Sequence, residues 1–242
     1  MKTLKLLGVR IDSVPRKDLE GIFTEMLNGR KFQHIATVNP EFLVAAHRDP
    51  VFRKILNKTD LNLCDGAGIS LMAKLLYGRK IHRTTGVDVA EILCRTAAKQ
   101  GKSVYFLGGF GVAHLAAVRM QKKFPNLRVA GAEDGDPEAC SKLLKSANPD
   151  VILVAFGAPK QEFWLNEFGD QIPGLKLGGG FGGTFDFWAG KLRRAPGFFQ
   201  KIGLEWCWRL GQEPRKRAPR IWRAVCVFPF LAIRERFEKK EN

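Results

Sequence analysis

The chain has 242 residues with a hydrophobic fraction of 45%, enough for one large domain plus an appendage or for two small domains, and a formal net charge of +16. That charge favours an anionic partner: nucleic acid, an acidic lipid surface or a phosphorylated substrate. Five cysteines, none in a C-x-x-C pair, argue against a disulfide framework or a zinc site and suit a reducing compartment. Residues 1–10 carry no signal-peptide pattern, and no apolar run approaches the roughly 18 residues that span a bilayer.

Short apolar runs alternate with amphipathic stretches as far as about Gly180. Strands are predicted at 32–38, 59–63, 103–107, 127–130, 150–156 and 175–178. The later runs are almost continuously apolar, as strands covered on both faces are. Helices are predicted at 40–47 and 50–57, each opening on a proline that suits the first helical turn, then at 66–77, 87–99, 112–124 and 137–147. This alternation predicts an α/β fold, Rossmann-like, with a mostly parallel sheet and flanking helices.

Polar residues cluster where strands end. Thr37-Val38-Asn39-Pro40 closes the first predicted strand, and Cys64-Asp65-Gly66 closes the second. Asp65 suits a helix N-cap. In a partly desolvated cleft it would also suit a general base, because burial raises a carboxyl pKa. Arg83 precedes the next helix and could grip a diphosphate with its planar fork, or stand exposed in a loop. Three glycine turns follow three strands: Gly108-Gly109, Gly157 with Lys160 and Gln161, and 178–184 ahead of Asp186. Each alone is most simply a turn; together they point to a nucleotide or diphosphate site at the carboxyl edge of the sheet.

Two further patterns are weaker. Gly109-Phe110-Gly111 with Glu133-Asp134 resembles half of a dinucleotide fingerprint, but His114 stands at the third glycine position. A nicotinamide-dependent oxidoreductase is therefore the alternative reading. Asp134-Gly135-Asp136 matches a metal-binding D-x-D, although a turn before Pro137 explains it more simply. The four histidines show no ligand spacing and receive no catalytic role; no cofactor is expected.

Composition shifts at Lys191. Residues 191–242 hold fourteen Lys and Arg against five Asp and Glu, a net of +9, with many aromatics. Two units are expected, an α/β core at 1–190 and a basic, aromatic-rich, membrane-associating helical appendage at 191–242. The apolar run 224–233 is too short to span a bilayer and suits seating at an anionic interface; a helix packed on the core with a solvated basic face is the alternative. No motif supports nucleic-acid binding.

These segments resemble the WecG/TagA/CpsF glycosyltransferases of bacterial surface-polysaccharide synthesis. The likeness is carried by Thr37-Val38-Asn39-Pro40-Glu41, Asp65-Gly66, Arg83 to Asp88, Phe106 to Gly109, Gly157 to Glu162, Gly182 to Phe187, Arg193-Arg194-Ala195-Pro196 and the run from Gly203 to Pro214. It implies an inverting, metal-independent transfer of an N-acetylmannosamine-type sugar, or a related uronic acid, from a UDP-sugar donor. The implied acceptor is a sugar on undecaprenyl diphosphate, met at the cytoplasmic face of the inner membrane. The resemblance places the catalytic base on Asp65, and substrate positioning on Thr37, Asn39 and Gln161 with Arg83 near the diphosphate. Lipid-diphosphate or membrane contact falls among Arg209, Arg215, Arg217, Arg220 and Arg223. Whether the chain forms a homo-oligomer stays open.

Overall fold

The computed structural model describes residues 2–135 and 140–241. The predicted helix start at Pro137 and the second acid of the D-x-D, Asp136, lie outside the described residues.

The chain opens with a hairpin absent from the sequence reading, β1 (Lys2–Leu6) and β2 (Val9–Ser13), which pair antiparallel with Leu6 opposite Val9. Helix α1 (Leu19–Leu27) follows. Then come β3 (Gln33–Val38), α2 (Pro40–Arg48), α3 (Pro50–Lys58), β4 (Leu61–Cys64), α4 (Ala67–Tyr77) and α5 (Gly86–Lys99). The second half contains β5 (Ser103–Gly108), α6 (Ala113–Lys123), β6 (Arg128–Glu133), α7 (Cys140–Ala147), β7 (Val151–Ala155), α8 (Lys160–Phe168), β8 (Leu177–Gly180) and α9 (Thr184–Trp188). The predicted prolines do open α2 and α3, each behind a side-chain cap: Asn39 accepts from the amides of Glu41 and Phe42, and Asp49 from those of Val51 and Phe52.

The eight strands form one sheet in the order β1-β2-β4-β3-β8-β7-β5-β6, parallel at every pairing after the hairpin. Alternate residues of β7 serve opposite layers. Val151, Leu153 and Ala155 join the cluster under α1, α5 and α6, while Ile152 and Val154 join the one under α7 and α8. Burial on both faces explains why this strand reads as an unbroken apolar run. From β5 the chain moves outward to β6, then returns to the other side of β5 as β7. The carboxyl ends of β5 and β7 therefore flank a topological switch point, the place where open α/β sheets leave a crevice.

The basic segment folds as α10 (Gly197–Ile202), α11 (Glu205–Gln212), α12 (Pro214–Trp222), a π-helical turn (Arg223–Val227) and α13 (Phe228–Glu241). Phe228 and Ala232, one turn apart on α13, are both 0% exposed and share a cluster with Val38, Phe42, Ile69 and Met72. The apolar run at 224–233 is thus divided. Phe228 and Ala232 pack on α2 and α4, while Val225, Phe230 and Ile233 face out. No helix among the described residues is long and apolar enough to cross a membrane.

Candidate active site

The carboxyl edge of the sheet brings Asp65 and Thr37 together. Val38 pairs with Cys64 across β3 and β4, and the amide of Asp65 donates to Val38 O at 2.9 Å, so both residues leave adjacent strands at one level. The segment carrying Arg83 adds beside β4: the Thr84 amide donates to Cys64 O at 2.9 Å. This lays Gly86, the first residue of α5, against the pair. A Cβ at Gly86 would stand 3.1 Å from Thr37 Oγ1 and 3.5 Å from Asp65 Oδ2, so a side chain there would crowd both groups. The Asp65 carboxyl accepts from the Gly86 amide, and burial pushes it up to about 7. Arg83, the Gly86 hydrogen bond and Arg209 oppose that rise, while Glu205 adds to it. A carboxyl balanced there can take a proton near neutrality. Its neighbour Cys64 is held as a neutral thiol, pushed by burial up to about 11.

Helix α11 closes the site from the tail. Arg209 packs its guanidinium on the Phe187 ring, 4.8 Å from the centroid, and over the glycine turn after β8. Its Nε and Nη2 are buried without a hydrogen-bond partner. Burial, with repulsion from Arg217 and Arg220, lowers its pKa to about 10, so it stays charged at neutral pH. Glu205, at the start of α11, lies 3.8 Å from both Arg83 Nη2 and Arg194 Nε. Arg194 also reaches Asp88 at 2.8 Å, fastening the tail to α5. Arg83 Nη1 donates to Gln200 O at 3.2 Å. Arg83 is therefore half-enclosed by tail and core, beside a cavity of about 610 Å³ that Arg16, Ser70, Ile81 and Thr84 also line.

At the switch point, a second cavity of about 220 Å³ is lined by Gly108, Gly109, Phe110, Asp134, Phe156 and Lys160. Phe110 stands at its rim 80% exposed, with left-handed backbone. The first-turn amides at α6 are engaged, not open. Val112 and Ala113 donate to Asp134 Oδ1 at 3.1 and 3.0 Å. This acid holds the position that a dinucleotide pyrophosphate would need, which counts against the oxidoreductase reading. Gln161 is engaged at both ends, with one N–H of its amide left over: its Oε1 accepts from the amides of Gly157 and Gly182, both at 3.1 Å, and its Nε2 donates to Glu162. It clips the loop after β7 to the loop after β8.

The remaining predicted residues separate by role. The Asn39 carbonyl caps α2 at the edge of the Thr37–Asp65 pair, and Asp186 on α9 faces Lys191 at 3.8 Å. In the tail, Arg217 is buried against Glu213, and Arg220 pairs with Glu41 at 2.6 Å; Arg215 and Arg223 are exposed. Four residues lie in the segments that carry the family likeness but receive no role from the sequence: Glu205, Arg194, Asp88 and the buried Glu162. Only contacts between distant segments mark them out, since an acid opening a helix looks ordinary in sequence.

Residues 4–242 match the family described as Glycosyl transferase WecG/TagA/CpsF family. Among similar proteins is an N-acetylglucosaminyldiphosphoundecaprenol N-acetyl-beta-D-mannosaminyltransferase of Bacillus spizizenii, 31% identical over 225 residues, covering 90% of this chain and 84% of the relative. Proteins of the same name from Bacillus subtilis (31% identical, 86% and 80% covered) and Staphylococcus aureus (28%, 84% and 82%) are also similar. With an α/β sheet whose carboxyl edge holds a half-buried carboxyl and a charged arginine, and a match across almost its whole length, the chain belongs to the WecG/TagA/CpsF family of glycosyltransferases.

Proposed function

We propose that the chain moves an N-acetylmannosamine-type sugar, or a related uronic acid, from UDP to a sugar carried on undecaprenyl diphosphate, with inversion and without a divalent metal. The names of the relatives support the sugar and the lipid acceptor. The observation that carries the chemistry is Arg209: a half-buried, charged guanidinium with two buried, unpartnered nitrogens, set between Asp65 and the glycine turn after β8. A buried donor left unpaired is costly and implies an anion that completes it.

In this reading the donor nucleoside occupies the cavity at Gly108, Gly109 and Lys160. Its diphosphate passes Gly157 and lies against Arg209. Thr37, Asn39 and Gln161 frame the sugar, and Arg83 faces the acceptor diphosphate. The acceptor hydroxyl oxygen attacks the anomeric carbon from the face opposite the diphosphate. Asp65 takes the hydroxyl proton. The bond from the anomeric carbon to the diphosphate oxygen breaks, and the electron pair leaves with UDP. Arg209 and Lys160 stabilise that growing charge, the work a metal does elsewhere. Exposed Arg215 and Arg223, with the outward apolar side chains of α13, hold the enzyme to an anionic membrane surface.

The test uses the full chain, UDP-N-acetylmannosamine and a short-chain polyprenyl-diphosphoryl N-acetylglucosamine, with and without EDTA. Disaccharide-lipid is expected at equal rates in both arms. No product from a panel of UDP-sugars would overturn the donor, and dependence on added magnesium would overturn the metal-free mechanism.

A further inference from the structure

Glu205 is a carboxylate supplied to the active site by the tail, and nothing in the catalytic scheme above uses it. Its side chain is largely buried, and its two oxygens are shared between two arginines: Oε2 lies 3.8 Å from Arg83 Nη2, and Oε1 lies 3.8 Å from Arg194 Nε. Arg194 is in turn committed to Asp88 and Thr85 on the core. Glu205 therefore links an arginine held by two core partners to one held by a single hydrogen bond. Arg83 has one other side-chain contact to hold it, the 3.2 Å hydrogen bond to Gln200 O, and its Nε is unpartnered.

The groups that act on Asp65 come from three elements. Arg83 arrives on the segment beside β4, the Gly86 amide belongs to α5, and Glu205 and Arg209 project from α11. Of these, Arg83 acts most strongly to hold the Asp65 proton affinity down. A guanidinium that turned fully onto Asp65 would make a tight ion pair, and a carboxylate so paired is a poor base.

We propose that Glu205 is a positioning residue of the transfer reaction: it draws the Arg83 guanidinium toward the tail and sets a second negative charge beside Asp65, so that Asp65 stays available as the base only when α11 is docked. This rests on the reading of Asp65 as base. It makes the tail a condition of proton transfer itself, apart from any part in holding lipid. A chain whose tail is displaced would keep its donor cavity at Gly108 and Lys160, yet lose both the Glu205 charge and the restraint on Arg83.

The experiment compares the full-length wild type with Glu205→Gln, Glu205→Asp and Asp65→Asn in initial-rate profiles from pH 5.5 to 9, with donor KM and thermal melting measured alongside. In Glu205→Gln the neutral amide frees Arg83 and removes the neighbouring charge. Both changes favour ionised Asp65, so the acid limb of kcat moves to lower pH, by about half a pH unit or more, while the plateau falls several-fold because the base is weaker. Glu205→Asp keeps the charge but withdraws it by one methylene; it moves the limb the same way by less, and it serves alone if the glutamine variant does not fold. A limb that stays at the wild-type pH, even with a lower plateau, overturns the proposal and leaves Glu205 as a clasp between tail and core. Wild-type turnover by Asp65→Asn is a different failure, because it removes the base on which the proposal rests.

Discussion

Arg209 and Gly183 touch across the join between the tail and the sheet: a Cβ on Gly183 would lie 2.5 Å from Arg209 Nη2. The backbone of Gly183 has φ of −85°, which any residue can adopt, so space alone demands glycine there. The colliding atom is the tip of a long side chain that can move. Gly183→Ala should therefore melt within about 2 °C of wild type while displacing the guanidinium from the glycine turn. We expect kcat to fall by about 10-fold to 100-fold, as when one charge-stabilising donor is lost. Rates and melting curves on the same preparation check this. A variant that melts much earlier would show that the turn, not Arg209, was disturbed.

As the proposed base, Asp65 should give the reaction its pH dependence. With the carboxyl pushed by burial up to about 7, the base is ionised above that pH and protonated below it, so the rate should fall as pH drops through 7. Asp65→Asn should lose about 10²–10⁴ in kcat, the usual worth of a general base. The same shift has a stability consequence of opposite sense. A carboxyl whose folded pKa is raised stabilises the fold while protonated, and this stability is lost as pH rises from the ordinary carboxyl range toward 7. Asp65→Asn should thus melt higher than wild type at pH 8 and match it near pH 4. Equal melting temperatures at both values would show that the carboxyl is not desolvated.

The parallel core was legible because strands buried on both faces leave unbroken apolar runs, as 151–155 does, and because prolines and caps announce α2 and α3. The hairpin at 2–13 was not, since its short strands pair a mixed polar face with a buried one and no glycine-rich dipeptide flags the turn strongly. In the candidate site, Asp65, Thr37 and the glycine turns could be read as strand-end residues. Glu205 could not, because its meaning lies in contacts with Arg83 and Arg194 that only folding creates. The apolar run at 224–233 looked uniform in sequence, yet helical geometry points its members to opposite sides.

Glu162 lies within this same carboxyl edge and is 0% exposed, with Oε2 lacking a partner and Oε1 accepting from Gln161. Burial pushes its carboxyl up to about 8, so it is neutral at pH 7. The sign follows as for Asp65: the stability of the protonated form is lost as pH rises from the ordinary carboxyl range through 8. Glu162→Gln preserves an acceptor for Gln161 and cannot ionise. Its melting temperature should equal that of wild type near pH 4 and exceed it by about 3 °C or more at pH 8.5. Because Gln161 clips the loops after β7 and β8, wild-type donor KM should also rise above pH 8 and that of the variant should not. Parallel pH series of KM and melting for the two proteins would expose a role for some other group if both responded alike.

The tail should separate into a face that folds and a face that binds membrane. Phe228 is 0% exposed in the cluster with Phe42 and Ile69, whereas Phe230, two residues on, is 65% exposed. Phe228→Ala should cost about 3–5 kcal/mol, as large aromatic deletions in cores do. Phe230→Ser with Ile233→Ser should leave melting unchanged but weaken sedimentation with anionic vesicles. The arginines divide the same way. Arg217 is buried against Glu213, so its loss removes both hydrogen bonds to Glu213 Oε2, leaves that carboxylate with Lys216 alone and lowers melting; exposed Arg215 and Arg223 should matter only to vesicle binding. Near an anionic leaflet each is worth about 1 kcal/mol, so the Arg215→Ala, Arg223→Ala pair should reduce binding by about 10-fold to 30-fold at low salt, with the difference fading as salt rises. If the exposed-face variants bound vesicles as wild type does, the outward surface of α13 would not be the membrane contact, and the neighbouring exposed Leu71 and Leu75 of α4 would become the surface to substitute.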